Sequence, residues 1–156
     1  MALSELFIEQ IHGLLPENEA SALIKSLGES DPSVSVRINS VKCDKTPTEN
    51  LVPWCNRGFY LDQRPQFTFD PALHAGCYYV QDASSMFLAH AINLLVNKDE
   101  PVRYLDLCAA PGGKTTTAID ALPAGSLVVA NEIMSNRAQI LKENLIKWGN
   151  PNCVVT

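Results

Sequence analysis

The chain has 156 residues, a length that suits one domain or two small ones. Hydrophobic residues make up 46% of it, which is ordinary for a globular protein and excludes a disordered chain. Twelve Lys and Arg stand against 17 Asp and Glu, which gives a net charge of −5. That balance excludes a small basic nucleic-acid module, because phosphate binding needs clustered Lys and Arg.

The cysteines and the apolar runs indicate the compartment. The five cysteines form no CxxC pair, which favours reduced thiols over a disulfide framework or a zinc site. The three histidines are scattered, so we expect no metal. The first residues have no basic region, and no apolar run reaches the ~18 residues of a membrane helix. We therefore expect a cytoplasmic protein that has no secretory signal and does not contact a membrane.

The first half predicts a small α+β unit. Apolar residues at helical spacing predict two helices, over residues 6–15 and 17–28. Period-two alternation predicts a half-buried strand over 33–38. Two shorter strands are expected at 58–61 and 67–69.

The second half alternates strands and helices, which predicts a parallel sheet built from right-handed βαβ units. The segments are a strand or extended entry segment at 77–81, helix 83–96, strand 102–107, helix 115–122, strand 126–131, helix 134–148 and strand 153–156. Apolar residues nearly surround the helix over 83–96, so we expect it to be well buried. The last strand reaches the final residue, so we expect a truncated sheet.

The turn after strand 102–107 carries the strongest signal. It contains the pair Gly112-Gly113, which allows a tight turn and the close approach of a ligand. The N-terminus of the next helix points unpaired N–H groups at that ligand. Glu132 follows the next strand, 26 residues after Asp106. In Rossmann-type folds an acidic residue ~20 residues past the turn holds ribose hydroxyls, so the two features predict a nucleoside cofactor.

Three classes of cofactor compete for this turn. A P-loop, GxxxxGK[ST], would need glycine at position 108, where the chain has Cys108. A dinucleotide fingerprint GxGxxG is also absent. S-adenosylmethionine fits best, because it has no phosphate, its carboxylate suits the helix end, its ribose suits Glu132 and its sulfonium suits a nearby carboxylate such as Asp106.

These residues resemble the cofactor motif of the Sun/Nop-type RNA cytosine-5 methyltransferases. The resemblance rests on LDLCAAPGGKT (105–115), GCYYVQDASSM (76–86), ANE (130–132) and the Arg-x-Asn element Arg37-Ile38-Asn39. It covers roughly residues 34–156. The Tyr-rich form of the second motif is similar to the bacterial ribosomal-RNA branch.

The resemblance implies an α/β fold in two parts. Residues 1–75 would form an N-terminal α+β accessory domain, and residues 76–156 the first half of a Rossmann-like S-adenosylmethionine-dependent methyltransferase domain. The implied reaction is methyl transfer to carbon 5 of a cytosine in RNA, with ribosomal RNA as the expected partner. The implied cofactor-binding residues are Cys108, Ala109, Ala110, Pro111, Gly112, Gly113, Lys114 and Glu132. Arg137 is a weaker candidate for the same site, with the orientation of Glu132 as its alternative role.

No catalytic residue is assigned within these 156 residues. In this family the nucleophilic cysteine and a second cysteine, in a Pro-Cys motif, lie on later strands, and neither motif occurs here. We therefore expect this fragment to be inactive alone and to self-associate through the open edge of its first parallel strand, at Tyr104-Leu105.

Several other residues have a structural interpretation. Arg37 and Asn39 are expected to brace the domain junction rather than bind RNA. Asp82 is expected to cap a helix, although Gln81-Asp82 could also touch substrate. For the aromatic residues Trp54, Phe59 and Tyr60, packing is favoured over stacking on a base.

Two alternatives from other classes remain open at this point. One is a non-catalytic nucleotide-binding module of P-loop descent. The other is an interaction domain whose turn binds nothing.

Overall fold

A computed structural model describes residues 3–29 and 32–156. The chain divides into two compact units, Met1–Ser33 and Val34–Thr156. The first unit contains helices α1 (Glu5–Leu14) and α2 (Glu17–Glu29), as the apolar spacing predicts. The side chain of Ser4 caps α1 by accepting a hydrogen bond from the Phe7 N–H. Helix α2 continues past Gly28, its predicted end, since glycine only weakens a helix by about 1 kcal/mol.

The second unit begins with an antiparallel sheet. Its strands are β1 (Val34–Ile38), β2 (Leu51–Val52), β3 (Cys55–Leu61) and β4 (Tyr78–Val80), in the order β2-β3-β1-β4. Strand β1 is central: Val36 lies opposite Phe59 of β3 on one side and Val80 of β4 on the other. Val36 and Phe59 are buried together with Ile38 and form the core of this sheet. Strand β3 starts three residues before its predicted first residue.

The predicted strand at residues 67–69 is wrong. Phe67–Phe69 is a 3₁₀ turn, followed by the short helix α3 (Pro71–His74). The Asp70 carboxylate accepts a hydrogen bond from the Ala72 N–H at 2.8 Å and so caps α3. Pro71 has no N–H for a strand ladder and suits the first turn of a helix.

Residues 83–96 form two helical segments rather than one buried helix. A 3₁₀ turn, Ala83–Met86, leads into α4 (Phe87–Leu95). The Asp82 side chain accepts from the Ser84 N–H at 3.0 Å, which confirms its capping role. The prediction of complete burial is wrong, because α4 packs on its neighbours through one face and leaves Leu94 and Leu95 71% and 84% exposed.

A three-stranded parallel sheet completes the second unit and confirms the predicted βαβ pattern. Its elements are β5 (Arg103–Asp106), α5 (Gly113–Ala121), β6 (Leu127–Ala130), α6 (Ser135–Trp148) and β7 (Cys153–Val155). The strand order is β5-β6-β7, with all neighbours parallel. The buried residues of its core are Ala109, Ala110, Ala130, Leu141 and Leu145.

The fold class predicted from the sequence is confirmed. The boundary between domains 1–75 and 76–156 stays a prediction, and strand β4 pairs with β1 inside the single compact unit Val34–Thr156. Among the described residues, no helix is long and apolar enough to cross a membrane.

Candidate functional site

The turn between β5 and α5 depends on one glycine. Gly112 has φ +110°, in the left-handed region, and its N–H donates to the Ala109 carbonyl at 2.8 Å. A Cβ at Gly112 would lie 3.3 Å from Leu141 Cδ1, and one at Gly113 would lie 3.4 Å from the Tyr79 ring. The left-handed φ of Gly112 confirms the predicted tight turn, and the missing side chains also allow the turn to pack closely on α6 and β4. The close approach of a ligand stays a prediction.

Asp106 holds the turn from the end of β5. One carboxylate oxygen accepts a hydrogen bond from the Cys108 N–H at 3.3 Å, and the other accepts from Thr115 Oγ1 at 2.7 Å. The carboxylate thus joins the first residue of the turn to the first turn of α5. Thr115 is not among the site residues predicted from the sequence. The signal for its bond to Asp106 was a hydroxyl residue that follows a strand-end aspartate at the start of the next helix.

The predicted turn residues differ in their exposure. Ala109, Ala110 and Gly112 are buried, and Gly113 is half-buried. Three residues face outward: Cys108, Pro111 and Lys114. The Cys108 side chain is thus exposed at the surface of the turn. The Ala110–Pro111 peptide bond is cis.

Glu132 lies next to the turn, just after β6, and is only 8% exposed. Its carboxylate accepts a hydrogen bond from the Met134 N–H at 3.0 Å, and its other oxygen lies 3.5 Å from Arg137 Nη1. The same guanidinium donates from Nη2 to the Ala110 carbonyl at 2.9 Å. Arg137 therefore connects Glu132 to the turn, in the orienting position that the sequence predicts for it.

Strand β4 and helix α6 hold the turn from the side opposite its exposed residues. Tyr79 Oη donates to the Pro111 carbonyl at 3.0 Å, and Asn144 Nδ2 donates to the same oxygen at 2.8 Å. Gln81 Nε2 donates to the Gly113 carbonyl at 3.2 Å. Sequence reasoning missed these supports, although the alternation of strand β4 places Tyr79 and Gln81 on the same face.

A buried arginine lies behind this support. Arg37, on β1, is 1% exposed. Its guanidinium donates to Gln81 Oε1 at 2.9 Å and to Thr116 Oγ1 at 2.6 Å, and it forms a hydrogen-bonded ion pair with Asp120. It also lies 4.5 Å from the centroid of the Trp148 ring. These contacts connect the antiparallel sheet to α5 and α6.

The two charges of this pair are both affected by desolvation. Burial lowers the pKa of Arg37, and the carboxylate of Asp120 opposes that change. Burial raises the pKa of Asp120, and Arg37 together with the Trp148 N–H opposes it. Asn39, on the same strand segment, donates to the Trp148 carbonyl at 2.9 Å and to the Gly76 carbonyl at 3.0 Å. Arg37 and Asn39 therefore both brace neighbouring elements, as the sequence predicts.

Four grooves formed by the described residues lie away from the turn. One of them, of about 780 Å³, runs along α6 and β7 and reaches Glu132 but none of residues 108–114. The aromatic residue Trp54 donates its indole N–H to the Ala83 carbonyl at 2.6 Å, and Phe59 is buried, so both pack. Within 3–29 and 32–156, no three metal-ligating side chains come together.

Two families of protein domains match the chain. The N-terminal domain of the 16S rRNA methyltransferase RsmF matches residues 3–83, and the 16S rRNA methyltransferase RsmB/F domain matches residues 92–156. The chain belongs to the RsmB/F family of 16S rRNA methyltransferases. The turn at 108–114 and Glu132 both lie in the part that matches the RsmB/F domain.

The curated relatives that this chain matches are longer than the chain itself. The ribosomal RNA small subunit methyltransferase F of Photobacterium profundum is 32% identical over 99% of this chain and 35% of its own length. The protein of the same name from Erwinia tasmaniensis is 31% identical over 96% of this chain and 34% of its own length. The chain thus spans about a third of these relatives.

Solved structures share the fold. NSun6 from Pyrococcus horikoshii, solved with SFG, superposes with a TM-score of 0.76 at 16% identity, over 98% of this chain and 65% of that one. A methyltransferase homologue protein from Pyrococcus horikoshii gives a TM-score of 0.68 at 24% identity, over 99% of this chain and 56% of that one. At these identities the likeness is one of fold.

The Arg37–Asp120 pair predicts a coupled effect on stability. Asp120→Asn leaves the buried guanidinium without a counter-charge and should lower the free energy of unfolding by about 3 kcal/mol. The double variant Arg37→Met/Asp120→Asn should lose less than the sum of the single losses, by about 1 kcal/mol or more, because no buried charge then remains. Urea unfolding of the four proteins measures this, and strictly additive losses would contradict it.

Proposed function

We propose that this chain supplies the S-adenosylmethionine site of an RNA cytosine-5 methyltransferase that acts on ribosomal RNA in the cytoplasm. The observation that supports it most directly is the junction of the 108–114 turn with Glu132 through Arg137. Membership of the RsmB/F family and the resemblance of the turn to the Sun/Nop motif support the substrate class.

The groups present fit this cofactor. The first N–H groups of α5 lack partners within the helix and suit the methionine carboxylate. A carboxylate offers about four acceptor positions, so Glu132 keeps capacity for ribose hydroxyls beside its Met134 and Arg137 contacts. When bound, S-adenosylmethionine supplies the electrophilic methyl group. The residues proposed to hold it are Cys108, Ala109, Ala110, Pro111, Gly112, Gly113, Lys114 and Glu132.

Activation of the cytosine requires a group that these residues do not supply. Carbon 5 becomes nucleophilic only after a thiolate adds to carbon 6 of the ring. Cys108 belongs to the proposed cofactor turn, and burial raises the pKa of the Cys153 thiol, so neither is placed as an activated nucleophile. We therefore propose that the catalytic cysteines lie outside the 156 residues.

The reaction is tested by tritium-methyl transfer. A protein that extends this chain to the length of its relatives should label unmodified 16S ribosomal RNA, and digestion to nucleosides should recover the label as 5-methylcytidine. Label on another base or on ribose would refute the proposed chemistry, and labelled protein without labelled RNA would refute the substrate.

Glu132→Ala should weaken the binding of S-adenosylhomocysteine by that longer protein. Loss of a hydrogen bond to a charged acceptor is worth about 1.5–3 kcal/mol, or roughly tenfold to a hundredfold in affinity. Titration calorimetry measures the effect. Glu143→Ala, which removes an exposed carboxylate from α6, is the matched control and should bind as the parent does. Unchanged affinity in Glu132→Ala would remove Glu132 from the site.

Cys108→Ser in the same longer protein should retain most of the methyl transfer. The side chain lines the turn and forms no covalent bond to the base in this proposal, so replacing sulfur by oxygen changes little. Initial rates at saturating cofactor measure the effect. Complete loss of turnover at normal affinity for S-adenosylhomocysteine would identify Cys108 as the nucleophile and refute the assignment.

The 156-residue chain itself should transfer no methyl group and should self-associate. Within the described residues β5 pairs only with β6, and Leu105 on its open edge is 57% exposed. Leu105→Lys should shift the protein to monomer in sedimentation velocity, because charge blocks pairing at a strand edge. Val154→Lys, on the opposite edge strand β7, should not. If the parent chain stays monomeric at high concentration, self-association through the open edge of β5 is refuted. If the chain transfers any methyl group, the proposal that the catalytic cysteine lies outside these 156 residues is refuted.

A further inference from the structure

Gln81 connects the antiparallel sheet to the cofactor turn. It follows β4 directly and is 7% exposed. Its amide nitrogen donates to the Gly113 carbonyl at 3.2 Å and to Thr117 Oγ1 at 3.0 Å, while its amide oxygen accepts from Arg37 Nε at 2.9 Å. All the hydrogen-bonding atoms of this side chain therefore contact either α5 or the buried arginine.

The orientation of the Gln81 amide is determined by its partners. Arg37 is a pure donor, so it must face the amide oxygen and not the NH₂ group. A flipped amide would place donor against donor at Arg37 and oxygen against oxygen at Gly113. Because Arg37 is itself held by Asp120 and Trp148, the NH₂ group is directed at the Gly113 carbonyl.

Fixing this carbonyl also fixes an amide of the cofactor site. The carbonyl of Gly113 and the N–H of Lys114 belong to one planar peptide group. A donor that holds the carbonyl therefore sets the direction of the Lys114 N–H, one of the first N–H groups of α5. Tyr79 and Asn144 hold the Pro111 carbonyl of the neighbouring peptide, whose Gly112 N–H donates within the turn to the Ala109 carbonyl.

We infer that Gln81, oriented by Arg37, is a positioning residue that aims the Lys114 N–H, at the start of α5, at the carboxylate of the cofactor. The inference rests on the proposed function for the identity of the ligand, but not for the effect on the turn. In this arrangement the antiparallel sheet influences the affinity of the site through the backbone of the turn and of α5.

The diagnostic variant is Gln81→Glu. The carboxylate keeps an acceptor for Arg37, so the buried guanidinium stays satisfied, but it places oxygen against the Gly113 carbonyl. We expect affinity for S-adenosylhomocysteine to fall about tenfold or more, as for the loss of a buried hydrogen bond. Amide exchange at Thr117, whose helical N–H partner is Gly113, should become about tenfold faster. Both are measured by NMR on the ¹⁵N-labelled 156-residue chain, which also detects millimolar affinities.

The matched control is Ser35→Ala. Ser35 is buried on β1 and donates to the backbone carbonyl of Gln81 at 2.6 Å, so its loss loosens β1 from β4 without removing the side-chain contact to Gly113. Ser35→Ala should lower the melting temperature but leave the affinity for S-adenosylhomocysteine within about threefold of the parent. The exchange rate of the Thr117 amide should change no more than the loss of global stability accounts for. An equal loss of affinity in both variants would reduce Gln81 to a structural residue and overturn the inference.

A second pair of variants covers the case in which Gln81→Glu fails to fold. Thr117→Val removes the hydroxyl that bridges Gln81 and the Gly113 carbonyl, and Thr117→Ser restores it. The affinity for S-adenosylhomocysteine should fall in Thr117→Val and return to the parent value in Thr117→Ser. A Thr117→Ser variant that binds as weakly as Thr117→Val would overturn the inference. If the parent binds no S-adenosylhomocysteine, the proposed function fails. Exchange at Thr117 then still decides the inference, because an unchanged rate in Gln81→Glu or Thr117→Val would refute it.

Discussion

The burial of one positive charge organises the unit that spans Val34–Thr156. Arg37 lies in the central strand of the antiparallel sheet, with almost no exposed surface, so its charge has to be satisfied inside the protein. Asp120 of α5, the Trp148 ring of α6 and Gln81 after β4 satisfy it from three directions. Removal of any of these partners would leave the buried Arg37 guanidinium less well satisfied. We therefore expect the antiparallel sheet, α5 and α6 to keep a fixed arrangement.

That arrangement also determines the shape of the cofactor turn. Gly112 packs so closely on α6 that a Cβ there would lie 3.3 Å from Leu141 Cδ1, and Gly113 packs against the Tyr79 ring of β4. The carbonyls of the turn are held by side chains from those same elements, and Asp106 closes the turn from β5. The first N–H groups of α5 have no partner within the helix, and Glu132 is attached to the turn through Arg137. A site of this kind is preorganised, so less ordering is needed when the ligand binds.

The sequence predicted the parts of this structure that depend on local pattern. The βαβ order followed from periodicity, and the glycine turn and Glu132 were found because strand ends in a parallel sheet meet at one edge. One error came from overlooking a local signal, and the contacts that were missed depend on tertiary context. The aromatic segment Phe67–Phe69 has strand-like composition, but the Asp70 cap and Pro71 favour a helical turn. The contacts of Gln81 join residues 32 to 44 positions apart, which no local pattern reveals.

The central claim is that the 108–114 turn with Glu132 holds S-adenosylmethionine and not a nucleoside triphosphate. Titration of the ¹⁵N-labelled chain with S-adenosylmethionine, S-adenosylhomocysteine and ATP in turn tests it most directly. The account predicts that the first two shift the amide signals of residues 108–117 and of Glu132, with ATP leaving them unchanged at the same concentration. Shifts with ATP but with neither methionine compound would contradict it.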